Sequence, residues 1–281
     1  MEPVSVDRLP GARAFPVIGD PHQLRVGLPR GYDTVTARAA RAAADAEAAR
    51  VAAEAAAAVA EAAEVEAAAR ATSASRGSAP AAAPSSAGLP LGVDPGSSTQ
   101  VVTVVAPSPG ATSAKLTAWE LGPNGWTAVL GPVSARLGSA GVGRASESSP
   151  RTPAGTFTLS EAFGRAGNHG TGLPYRVVDG DDWWVSDVNS ARYNQYVECA
   201  RESCDFDTSV SENLDEQAAY QHAVVIDYNR GGAPGAGSGF FLHVSNGAPT
   251  LGCVAIDVGS LVVLLRWLDP AARPLIAIGV G

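Results

Sequence analysis

Lysine is nearly absent from this chain, and its arginines gather into no run or stripe. Scattered residues such as Arg144 and Arg151 make no basic face. With a formal charge of −8 and a pI near 5.0, the composition weighs against a nucleic-acid binder, which meets phosphate with clustered positive charge. The excess of Ala, Gly and Arg over Lys follows from GC-rich coding and carries no functional weight. Long hydrophobic runs are missing too. The opening MEPVSVDRLPGARAFPVIGD has neither a basic start nor the roughly 7–15-residue apolar run of a secretory signal. No transmembrane segment is expected either: Glu54, Glu61, Glu64 and Glu66 interrupt the Ala-rich stretch, and LVVLL at 261–265 is too short to cross a bilayer.

Cysteine is scarce, at three residues. Cys199 and Cys204 lie close together in VECARESCDF, a spacing open to a small disulfide loop, two free thiols or half a metal site. No nearby Cys or His pair completes four zinc ligands, so metal is the weakest of the three and no cofactor is expected. We expect the disulfide, and with it an oxidising compartment. Cys253 stands alone behind a glycine.

The 46% hydrophobic content can fill an ordinary core. Residues 1–33 form an unassigned tail. Residues 34–72 hold no Gly or Pro and are dominated by alanine, which predicts a long helix with a thin apolar surface, suited to a spacer. The segment SASRGSAPAAAPSSAGLPLGVDPGSS (73–98) reads as a linker, placing a domain boundary near residue 99. Beyond it, β-branched or alternating runs recur between turn signals: VVTVVA, KLTAWEL, GWTAVL, GTFTL, YRVV, AVVIDY, GFFLHV, CVAI and LIAIGV. Residues 99–281 are therefore expected to be mostly β, with one clear helix at 258–268 where Val258, Leu261, Val262, Leu265 and Leu268 keep helical spacing, Asp257 can cap the start and Pro270 follows the end. Asp187–Gln221 has few apolar residues and reads as an excursion over the surface, pinned by the expected disulfide.

The chemistry concentrates in FFLHVSNGAPTLGCVAI, residues 240–256. Strand alternation puts Phe241 and His243 on one face and Phe240, Leu242 and Val244 on the other. A turn-rich SNGAPTLG then returns the chain to an apolar run at Cys253. If the two ends meet, the imidazole can take the thiol proton and generate a thiolate for acyl transfer, its ionisation eased by a neighbouring imidazolium. Gly252 lets a carbonyl approach the main chain, and the N–H groups of Gly252 and Cys253 form a candidate oxyanion hole. Against this stands the plain alternative of a core histidine and a core thiol.

FLHVSNGAPTLGCVAI, followed by a helix and RWLDPAARPLIAIG, resembles the catalytic core of the L,D-transpeptidases, the YkuD-like cysteine enzymes of bacterial cell-wall synthesis. TPAGTFTL (152–159), LPYRVV (173–178), DDWWVSD (181–187) and AVVIDYN (223–229) resemble the same family in the same order, so the likeness covers roughly residues 99–281. It implies a β-sandwich or mixed sheet with one or two short helices, placed outside the cytoplasm in the cell wall or periplasmic space, acting on peptidoglycan tetrapeptide stems. Cys253 matches the nucleophile and His243 the base, the latter held by a main-chain carbonyl. Thr250 matches the hydroxyl residue opening the motif and Gly252 the glycine before the cysteine. The family pattern Ser-His-Gly-Cys followed by a hydrophobic residue and Arg or Asn is broken here, where Leu251 and Ala255 replace polar residues. Tyr175, Arg176, Trp183, Trp184 and Asn229 fall inside resembling motifs as candidate substrate contacts, and Arg151 as a partner for a substrate carboxylate. A hydrolase on the same stems and a non-catalytic wall-binding module are the alternative functions.

Overall fold

The computed structural model describes residues 88–281. The expected tail and Ala-rich helix lie outside these residues. In chain order the strands are β1 (Gln100–Ala106), β2 (Ser113–Gly122), β3 (Gly125–Arg136), β4 (Val142–Gly143), β5 (Thr152–Pro153), β6 (Gly155–Gly164) and β7 (Tyr175–Val177). There follow β8 (Asp182–Trp184), β9 (Tyr196–Glu198), β10 (Glu212–Asn213), β11 (Ala223–Ile226), β12 (Phe241–Val244) and β13 (Val254–Ile256), then the helix α1 (Val258–Trp267) and β14 (Leu275–Val280). Each of the nine runs read as strands contains one. The five strands not anticipated, β4, β5 and β8–β10, are two or three residues long, too short to carry an alternation signal.

The large sheet runs β11-β12-β13-β3-β2-β1-β14-β6-β7, and a further pairing of β11 with β6 closes eight of its strands into a barrel-like ring. The architecture is mostly β as expected, and the main sheet mixes parallel and antiparallel pairs while closing on itself into a barrel-like form. Closure removes the edges that an open sheet leaves unpaired. Alternation selects the core: Val102, Val104 and Ala106 of β1, with Ala114, Leu116 and Ala118 of β2, enter one buried cluster while Ser113 and Lys115 face solvent. Burying each large aliphatic side chain contributes about 1.5–3 kcal/mol.

Helix α1 begins where predicted, with the Asp257 carboxylate accepting from Ser260 N at 2.8 Å, and its Leu261, Leu264 and Leu265, with Leu268 at its C-cap, join the same core. Val258 is only half-buried and Leu264 is fully buried, so the apolar stripe sits slightly differently from the expected one. Packing also begins earlier than residue 99. Leu89 is buried, Leu91 lies against Gly279, and Arg273 donates to Ser97 O, which ties the last residues of the expected linker to β14 and its approach.

Sheet β10-β8-β9 gives the Asp187–Gln221 excursion its own scaffold, and Cys199 is disulfide-bonded to Cys204 as expected. Trp183 and Phe206 pack beside that disulfide in a small cluster of their own. The excursion covers one face of β11 and β12. There Leu214 and Tyr220 meet Phe163, Trp184, Ala223, Val225, Phe241 and Cys253 in a second core, while Val224, Ile226 and Leu242 of the same strands, with Phe240 just before β12, point into the first.

Candidate active site

His243 and Cys253 are placed by two paired strands. β12 and β13 run parallel with His243 opposite Ala255 and Leu242 opposite Val254, so Cys253 enters the ladder one step before β13, diagonally across from His243. Both line a cavity of about 750 Å³ between this edge of the ring and the excursion, together with Glu212, Tyr220, Phe240 and Thr250. Among the described residues no lysine or arginine side chain lines it.

The His243 ring packs edge-on against Tyr220, with centroids 5.5 Å apart, and Nδ1–H donates to Val244 O at 2.9 Å. That bond fixes the tautomer and leaves Nε2 to accept a proton. Burial pushes the His243 pKa below its ordinary value, partly offset by the bond to Val244. Cys253 is a free thiol. Its Sγ–H donates to Gly239 O at 3.4 Å and Sγ accepts from Phe241 N at 3.4 Å; among the described residues it makes no hydrogen bond to the imidazole. Burial, joined by the nearby Glu212 carboxylate, pushes the thiol up to about 12. The resting pair is therefore neutral thiol and neutral imidazole, whereas the sequence suggested a thiolate already eased by an imidazolium. The reason is desolvation: both side chains are nine-tenths buried, and neither charge forms cheaply there.

Gly252 is needed for shape. Its φ of +144° lies in the region glycine tolerates, and a Cβ there would stand 2.6 Å from Phe240 Cε1. Its N–H donates to Thr250 Oγ1 at 3.1 Å, while the Thr250 hydroxyl donates to Cys253 O at 2.7 Å. One donor of the expected oxyanion hole is thus spent within the loop. Cys253 N–H donates to no group among the described residues and remains the candidate oxyanion donor. Thr250 holds the Gly252–Cys253 peptide in place instead of presenting its hydroxyl to a substrate.

The other expected contacts lie outside the cavity. Tyr175 OH donates to Ala166 O at 2.8 Å and shares a 3.1 Å hydrogen bond with His222 Nδ1. Arg176 stacks over the Tyr196 ring at 3.7 Å. Asn229 spends its amide on Ala233 O and Gly237 O, folding a turn with its own φ at +53°. Trp183 Nε1 donates to Cys199 O, and Arg151 Nη1 donates to Val142 O. Trp184 acts at one remove: its Nε1 donates to Asn194 Oδ1, which also accepts from Gly239 N, fixing the residue whose carbonyl meets the thiol.

Sequence reasoning missed Glu212 and Tyr220. Tyr220 OH donates to Glu212 Oε1 at 2.7 Å, and the ring also packs edge-on against Phe241. Neither residue lies in a periodic run, and the excursion that carries them reads as polar surface, so nothing in the local sequence marks them as lining the cavity. Among the described residues no three His, Cys, Asp or Glu side chains gather into a metal-binding group, and no described helix is long and apolar enough to span a membrane. No protein-family model, curated protein or solved structure matches the chain.

Proposed function

We propose that the domain is a cysteine acyltransferase of the L,D-transpeptidase kind, acting on peptidoglycan stem peptides outside the cytoplasm. The observation that carries this reading is the convergence of one free thiol and one main-chain-anchored imidazole on a single cavity, on strands whose sequence resembles that family's core. The disulfide between Cys199 and Cys204 supports an oxidising compartment.

Substrate entry displaces water from the cavity and brings the carbonyl of the third stem residue, a diamino acid, against Cys253 Sγ. His243 Nε2 takes the thiol proton as the S–C bond forms, and Cys253 N–H stabilises the oxyanion. The same proton passes to the departing D-Ala nitrogen as the C–N bond breaks. An amine of a second stem then attacks the thioester, loses its proton through His243 and releases the thiol, leaving a 3→3 cross-link. With water as acceptor, the same steps give a trimmed stem, which is the hydrolase alternative.

A wall-binding module is favoured by one observation: the thiol's hydrogen bonds go to Gly239 O and Phe241 N, with none to the imidazole. Incubating the full chain with a tetrapeptide stem, with and without an acceptor amine, separates the three. A cross-linked dimer supports the transferase, a tripeptide alone supports the hydrolase, and unchanged stem that co-sediments with the protein supports the module and overturns the proposal.

A further inference from the structure

The carboxyl of half-buried Glu212 has no role in the mechanism above, yet its charge acts on the thiol. Glu212 opens β10, pairs with Trp184 across the small sheet and projects beneath Gly239, where its Oε2 would lie 3.3 Å from a Cβ at that glycine. Its Oε1 accepts from Tyr220 OH, and the Tyr220 side chain sits against Cys253 in the second core and against His243 edge-on. Carboxyl, phenol, thiol and imidazole thus line one wall of one cavity.

We propose that Tyr220 is the hydrogen-bond donor that stabilises the Cys253 thiolate, and that Glu212 is a positioning residue deciding whether the phenol serves the carboxylate or the sulfur. This rests on the cysteine chemistry proposed above. With Glu212 ionised, the phenol O–H is held by the carboxylate, as in the structure, and a thiolate would form beside a like charge. With Glu212 protonated, its O–H donates to the phenol oxygen and releases the phenol O–H toward Sγ. No proton is lost from Tyr220 in either arrangement; the thiol proton leaves to the base or to solvent. The groups facing Glu212 are Tyr220 and Cys253, with His243 beyond the phenol ring. Glu147 and Glu216 lie on the same cavity lining, the former hydrogen-bonded by Tyr193 and Ser238 and the latter paired with Arg201. Burial raises the Glu212 carboxyl to about 7, so the arrangement changes near neutral pH.

Alkylation of the full chain by iodoacetamide, followed by intact mass between pH 5.5 and 9.5, reads thiolate formation without requiring a peptidoglycan substrate. The other two cysteines are held as a disulfide. The logarithm of the rate should rise with pH below neutrality, bend to a shallower slope near pH 7, and rise again. Glu212→Gln keeps a donor toward the phenol and removes the charge; it should react about tenfold faster at pH 8.5 and lose the bend. Tyr220→Phe keeps the packing and should react about tenfold more slowly below pH 7, where the phenol is released toward the sulfur, with the difference shrinking above it. The proposal is overturned if Tyr220→Phe matches the wild type below pH 7, if Glu212→Gln keeps the bend, or if wild-type Cys253 stays unmodified at pH 9.5. A supporting profile combined with no acylation by stem peptide would leave this inference standing and remove only the proposed substrate.

Discussion

Replacing Gly252 with alanine tests how tightly the loop before Cys253 is built. Two costs add. Holding an L-residue at φ +144° costs about 1–3 kcal/mol in backbone strain. The new methyl must also be accommodated 2.6 Å from Phe240 Cε1 and 3.3 Å from Arg151 O, and overpacking of that kind costs about 1–3 kcal/mol. The sum is about 2–6 kcal/mol. At roughly 2–4 °C per kcal/mol for a domain of this size, a loss near 4 kcal/mol lowers Tm by about 8–16 °C. Gly247 supplies the control within the same connection: its φ is +85°, but a Cβ there meets nothing within 4 Å, so Gly247→Ala carries only the backbone cost. Urea unfolding of the two variants, with Gly252→Ala/Phe240→Leu as a third, separates the effects. Gly252→Ala should be about twice as damaging as Gly247→Ala, and the Phe240 change should recover part of the difference through coupling of the two sites. Equal losses for the two glycines, with no rescue, would refute the claim that the Phe240 ring fixes the shape of this loop.

Mutating both cysteines of the disulfide to serine opens a loop of sequence separation 5, and the chain-entropy relation gives a loss of about 2 kcal/mol, measurable as a fall in Tm of about 4–8 °C; an unchanged Tm would show that the β8–β9 scaffold stands without the bond. Glu212 makes stability pH-dependent. Because burial raises its carboxyl from 4.5 to about 7, the folded state holds the proton more tightly, so its contribution is fully present below pH 4.5 and falls by about 3 kcal/mol as pH rises through 7. His222, pushed by burial from 6.5 down to about 4, acts in the opposite sense over a window below 6.5 and partly masks it. The difference between wild type and Glu212→Gln across pH 4.5–8 isolates the carboxyl, and an identical pH slope in the two proteins would remove the assignment of the raised carboxyl to Glu212.

What the sequence disclosed is what periodicity and local chemistry encode. Val102, Val104, Leu116 and Leu242 lie on the face that alternation assigns them, and Asp257 starts α1 where its capping chemistry placed it. The opposed faces of Phe240 and Phe241 follow from the same period of two, and they put His243 on the side of Cys253. The parallel pairing of β12 with β13 was not legible, because a nine-residue turn-rich connection suggests a simple reversal, whereas β13 is turned to add to β3 on its other edge. Ring closure through β11 and β6 is likewise a long-range pairing that neither strand encodes alone. At the site, Cys253, His243 and Gly252 were visible as residue types with chemistry attached. The candidate contacts Tyr175, Arg176, Trp184 and Asn229 were chosen by motif, and their side chains are satisfied elsewhere in the fold. Glu212 and Tyr220 are brought in by the folding of a polar excursion over a sheet face, an outcome of tertiary packing that no local pattern announces.

The central claim is that Cys253 is an acyl-accepting nucleophile served by His243. The most direct measurement is the intact mass of the full chain after incubation with a carbapenem and, separately, with a tetrapeptide stem, for the wild type, Cys253→Ala and His243→Ala. The account predicts a covalent adduct on the wild type, none on Cys253→Ala, and adduct formation slowed by about 100-fold or more in His243→Ala. An adduct that persists in Cys253→Ala, or no adduct on the folded wild type with either compound, would contradict it.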